Sequence, residues 1–96
     1  MVYYYGYDAT MYGPARKTEM HESKNLTIAM KNAYRMVRSG WESVCITNER
    51  TYKEKSVTRI VSFDEIIKKM IVVIVNPKSL SKYVLKSDGS LGKKVW

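Results

Sequence analysis

Four cations, Lys24, Lys31, Arg35 and Arg38, stand at intervals that bring them to one side of a helix, and no Asp or Glu lies between Lys24 and Trp41. At 100° per residue they fall within an arc of roughly 60°. A stripe of one sign is suited to neutralising a polyanion rather than to making or breaking bonds. A helix face that serves only solubility tends to mix signs, because Glu placed four residues before Lys adds about 0.2–0.5 kcal/mol. Arg35 and Arg38 also suit the negative end of a helix dipole. Ile28 points in among the cations, where a polar residue would cost nothing.

The chain offers little for catalysis. His21 is the single histidine, and its acidic neighbours Asp8, Glu19 and Glu22 show no HExxH or comparable ligand spacing, so no metal site is expected. Cys45 sits in a β-prone run and reads as a small core residue, with no base or cation beside it to depress its pKa. A phosphate-cradling GxxxxGK[ST] loop is missing, and no nucleophile has a base at a usable spacing. The expectation is a non-enzymatic protein without a cofactor.

Aromatic residues supply the other candidates. Tyr3, Tyr5 and Tyr7 share one side of an extended segment, where they can stack on unpaired bases or cover a core with their hydroxyls in water. With Ile28 and Trp96 they are also candidate anchors for a protein partner, since aromatic residues dominate binding hot spots.

The elements that must position these groups follow from hydrophobic period. Ser23 to Trp41 reads as a helix whose core face carries Leu26, Ala29, Met30, Ala33, Tyr34, Met36, Val37 and Trp41, with Gly40 as its stop. Val2 to Tyr7 before it and Glu42 to Thr47 after it alternate as strands, which predicts a parallel βαβ unit. Residues 8 to 23 read as a long loop. Ser56 to Val61 is a strand pairing with Glu42 to Thr47. Ser62 and Glu65 have capping-box spacing, which predicts a second helix to about Ile74 with Phe63, Ile66, Ile67, Met70, Ile71 and Ile74 inside. The dense β-branched residues from Met70 to Val75 also fit a buried strand. Asp88-Gly89 predicts a terminal hairpin between Lys82–Lys86 and Leu91–Trp96.

Strand, helix, strand, strand, helix, strand is the order of a ferredoxin-like α+β two-layer sandwich, βαββαβ, here with an extra C-terminal hairpin strand. One large group of RNA binders on that architecture uses aromatic, Gly-rich central strands, and Ser56 to Val61 lacks that signature.

Residues 1–96 make one small basic domain of net charge +8. Residues 24–41 and 77–96 each hold +4, residues 42–62 hold +1, residues 63–76 are neutral and residues 1–23 hold −1. The candidate phosphate contacts are therefore Lys24, Lys31, Arg35 and Arg38, joined by Lys82, Lys86, Lys93 and Lys94 if the fold brings both segments to one side. The expected partner is DNA or RNA bound with low sequence specificity. The alternative is an inhibitor or adaptor docking on an acidic or nucleic-acid-binding protein surface, and an edge-strand homodimer suits either. A lone cysteine, no secretory leader and no long apolar run predict a cytoplasmic protein with no membrane span.

Overall fold

The computed structural model describes residues 2–7, 20–50, 54–76 and 79–95. Within them, seven strands and one α-helix follow in the order β1 (Tyr3–Tyr7), β2 (His21–Ser23), α1 (Leu26–Arg38), β3 (Ser43–Thr47), β4 (Val57–Asp64), β5 (Lys69–Asn76), β6 (Ser79–Leu85) and β7 (Leu91–Lys94). All strands belong to one sheet of order β2-β1-β3-β4-β5-β6-β7, and each neighbouring pair is antiparallel.

This overturns the ferredoxin-like βαββαβ expectation. The segment from Phe63 to Ile74 is no helix: β4 runs on to Asp64, residues 65–68 turn, and β5 pairs back with Phe63 opposite Met70 and Val61 opposite Val72. As a strand, Met70 and Val72 bury toward α1 while Ile71 buries on the opposite face, and all three are almost inaccessible. A helix would have turned Val72 and Val75 toward water. Asp64 takes over the role expected of the Ser62–Glu65 box, its Oδ1 accepting from the N–H groups of Ile66 and Ile67 at 2.8 and 3.1 Å. Lys68 completes the turn at φ 57°, and its ammonium meets Glu65 at 3.1 Å.

A second correction concerns the strands around α1. β1 and β3 are antiparallel, because three residues of the expected loop, His21 to Ser23, form β2 and reverse the chain before the helix begins. β2 and β3 both run against β1, so α1 links two parallel strands across the one between them. The remainder of that expected loop, 8–19, lies outside the described residues.

The helix starts at Leu26 because the Asn25 side chain accepts from the Ile28 N–H at 2.9 Å, a standard N-cap. Its Ala29, Met30, Ala33 and Val37 pack on Val44, Ile46, Val61, Met70, Val72 and Leu85. Leu85 belongs to β6, four strands from β1, so the sheet curls around the helix. The β6–β7 turn completes the curl, since Gly89 approaches the Thr27 carbonyl and the Lys31 backbone. On the other face of the sheet Cys45 is fully buried beside half-buried Ile60. Thr47 and Ser56, also buried, share a 2.7 Å hydrogen bond across the β3–β4 connection.

Among the described residues two glycines are required by backbone angle, and one of these also by space. Gly40 has φ 121° with nothing near a Cβ, whereas Gly89 has φ 87° and a Cβ there would collide with the Thr27 carbonyl oxygen. Gly40→Ala should cost only the strain, about 1–2 kcal/mol. Gly89→Ala should cost about 3 kcal/mol or more, because helix and turn must also separate. Urea unfolding of both variants checks this order, and equal costs would mean that the turn does not rest on α1.

Candidate functional site

The charged side of α1 keeps three of its four expected cations. Lys31 is half-buried, Arg35 and Arg38 are exposed, and among the described residues none is paired with a carboxylate. Lys24 is exposed but precedes the Asn25 cap, so it lies off the helix. Ile28 sits among these groups, 37% exposed.

The C-terminal lysines do not join them as a block. Alternation along β6 puts Tyr83 and Leu85 toward α1 and Lys82 on the opposite face, where it pairs with Val73. The Lys86 side chain lies over Gly92 beside Val84, on that same far face. Lys94 pairs with Tyr83 and so belongs to the helix side, while neighbouring Lys93 belongs to the other. The β6–β7 turn reaches the helix, but most of its cations point away.

Two grooves adjoin the helix cations. One, of about 380 Å³, is lined by Lys31, Tyr34, Arg35 and Arg38 from α1 and by Ser87 and Asp88 from the β6–β7 turn. The other, of about 760 Å³, shares Tyr34 and Arg38. It continues past the helix end over Val37, Gly40, Trp41 and Glu42 to the hairpin residues Phe63, Glu65, Lys68, Lys69 and Met70. The sequence pattern puts its aromatic walls in the core; instead Trp41 is 46% and Phe63 43% exposed.

Local structure explains both exposures. The Gly40 N–H bonds the Val37 carbonyl and the Trp41 N–H bonds that of Met36, a Schellman closure that turns the chain off the helix axis at Gly40. Trp41 therefore follows a backbone motif rather than the 100° period, which ended at Arg38. Phe63 lies in the last helix-side row of β4, opposite Met70 and beyond the buried Val44–Val61–Val72 row.

The aromatic strand β1 lies against the core. Tyr3 and Tyr5 are half-buried against the core, and Tyr5 also stacks on His21 of the edge strand at 5.2 Å. Tyr7 aligns with Val44 in the backbone register. Trp96 lies outside the described residues.

Among the described cations, Arg59 is partly buried in the sheet. Arg59 stands on the helix side of β4 between Ile46 and Ile74, its Nε buried without a hydrogen-bond partner and its Nη1 3.5 Å from the Thr58 carbonyl. Burial pulls its guanidinium below its ordinary range, and the phenols of Tyr3 and Tyr83 act in the opposite direction.

Asp88 is the acid among the cations of the smaller groove. Its Oδ1 accepts from the Ser90 hydroxyl at 2.6 Å and from the Ser90 N–H at 2.9 Å. These bonds, the hydroxyl's first, hold it below the usual aspartate range, with a smaller contribution from Lys86. It therefore stays ionised and subtracts from the positive face.

No protein family, curated protein or solved structure matches this chain. Among the described residues no helix is long and apolar enough to cross a membrane.

Two outcomes follow from these charges. Ser90→Ala should raise the Asp88 titration midpoint toward that of an ordinary aspartate, read from its carboxyl resonance by NMR. The pKa is depressed on folding, so the Asp88–Ser90 bonds stabilise the protein above the unfolded aspartate's pKa, and that stabilisation disappears as pH falls through the folded value. Arg59→Met should raise stability, read from urea unfolding, by about 1 kcal/mol or less, because it removes a partly desolvated charge; a clear loss of stability would show that Arg59 has a stabilising partner.

Proposed function

We propose that the protein is a small non-enzymatic nucleic-acid-binding domain that holds a phosphate backbone on the exposed side of α1, with little dependence on base sequence. The observation that carries this reading is the row Lys31, Arg35 and Arg38, exposed or half-buried with no carboxylate paired to it among the described residues. From Lys31 to Arg38 the row covers about 10 Å of helix axis, at 1.5 Å per residue. Phosphate contacts of this kind position a nucleic acid without reading it. The eight-lysine-and-arginine surface expected from sequence narrows to these three, with Lys94 on the same side and Lys24 near the helix start. Lys82, Lys86 and Lys93 contribute a general positive field rather than contacts on this face.

The alternative, an inhibitor or adaptor that docks on an acidic or nucleic-acid-binding protein surface, draws on Ile28, an apolar side chain set among cations and 37% exposed. Of its other expected anchors, Tyr3, Tyr5, Tyr7 and Trp96, the first two are engaged with the core. That favours the polyanion reading.

Binding of a labelled oligonucleotide, followed by anisotropy, should weaken steeply with salt. Arg35→Glu combined with Arg38→Glu should weaken it for all sequences alike and lower the salt slope by about one for each phosphate no longer neutralised. Lys82→Glu with Lys93→Glu removes the same charge from the far face and should cost much less. Equal losses from the two pairs would mean that net charge alone attracts the ligand, and absence of binding at low salt would remove the proposal. A defined protein partner retained after nuclease treatment would favour the alternative.

A further inference from the structure

We infer that the larger cleft, between the end of α1 and the β4–β5 hairpin, stacks unpaired bases, so that the ligand of the basic face is a single-stranded nucleic acid rather than a duplex. This rests on the polyanion reading of the α1 cations and adds the substrate class.

Two large rings, Trp41 and Phe63, line the same concave cleft of about 760 Å³ and remain nearly half exposed. They reach it by independent routes. Trp41 is set by the Gly40 closure of the helix, and Phe63 by a strand position one row past the buried core. Neither placement is needed to complete the core, whose buried members include neither ring. Two partly exposed rings lining one cleft are what a sequence-tolerant base platform requires.

The charge around the rings favours an anionic ligand. Arg38 belongs both to this cleft and to the smaller groove that holds Lys31 and Arg35, so the aromatic platform and the cation row are continuous. Glu65 is occupied by Lys68 at 3.1 Å, which leaves Lys69 and Arg38 against Glu42 on the rim. A duplex would present phosphates to the same cations but keep its base faces inside the stack, out of reach of either ring. A single strand can lie along Lys31, Arg35 and Arg38 and turn its bases into the cleft. A lipid surface fits less well, because the rings line a concavity instead of projecting from the fold.

The test uses the full chain carrying Trp96→Phe, so that Trp41 is the one tryptophan. Its fluorescence is followed with oligothymidylate, oligouridylate, a duplex of equal length and phosphatidylserine vesicles. Single strands should quench Trp41, and duplex and vesicles should not. Trp41→Ala and Phe63→Ala should each weaken single-strand binding about tenfold, the scale of one stacked base, and leave duplex binding unchanged. Trp41→Phe should retain most of the affinity, which separates stacking from a folding defect, and circular dichroism checks that each variant folds. Duplex binding that depends on Arg35 and Arg38, with no Trp41 quenching by any strand, would overturn the cleft while sparing the polyanion reading. Quenching by vesicles in place of oligonucleotides would overturn it in favour of a membrane surface. Failure to bind any nucleic acid at low salt, seen by anisotropy of labelled strands, would remove both.

Discussion

The packing of one apolar stripe on one curled sheet decides nearly everything else in this molecule. Ala29, Met30, Ala33 and Val37 have no second helix to meet, so they bury themselves on the concave side of β1, β3, β4 and β5, with Leu85 of β6 closing the far side. The two alanines have essentially no exposed surface, which lets the helix approach the sheet closely. Removing a buried Met or Val from such packing costs about 2–5 kcal/mol for Met→Ala and less for smaller deletions. In a domain of this size that is a large share of total stability. Because rotation about the helix axis is set by this packing, the opposite side of α1 is set too. Lys31, Arg35 and Arg38 are presented to solvent as a consequence of where the alanines go.

How much of this is legible from the chain depends on whether local pattern and tertiary burial ask for the same thing. β1, α1, β3 and the β6–β7 hairpin are readable because they do: Val44 and Ile46 alternate with the period of a strand that has one helix-covered face, and Asp88-Gly89 supplies a turn that almost any context accepts. The segment from Ser62 to Asn76 is not, because two correct local signals conflict there. Ser62 and Glu65 have the spacing of a helix start, and the β-branched run that follows is suited to a strand buried on both faces. The sheet decides the outcome, since β5 pairs with β4 on one side and β6 on the other and loses both ladders if it coils. β2 is invisible for a different reason. Three residues, His21 to Ser23, carry no period, and they become a strand only because β1 offers its free edge.

The candidate site divides along the same line. The cations of α1 can be found from helical period, but their neighbours cannot, because each neighbour depends on a departure from it. Extending 100° steps beyond the residue where the helix ends puts Trp41 in the core. Phe63 is a core residue only of a helix that does not exist. Charge counting along the chain likewise groups Lys82 and Lys86 with the helix cations, although strand alternation sends both side chains to the opposite face. Sequence proximity is a poor guide to a surface when the period is two.

The same geometry explains why stability and binding need not compete here. Functional clefts often carry strain or buried unpaired groups that weaken the fold. In this protein two residues lining the cleft have positive φ, Lys68 at 57° and Gly40 at 121°; the glycine also closes the helix, its N–H satisfying the Val37 carbonyl while it redirects Trp41, whose N–H reaches the Met36 carbonyl. A conformation that glycine adopts readily thus serves two ends at once. The partly buried Arg59 lies elsewhere, in the Ile46–Ile74 row, and is not among the residues that line the cleft. That internal electrostatic compromise is therefore separate from the exposed cations and rings, and a change at either place can be made without the other.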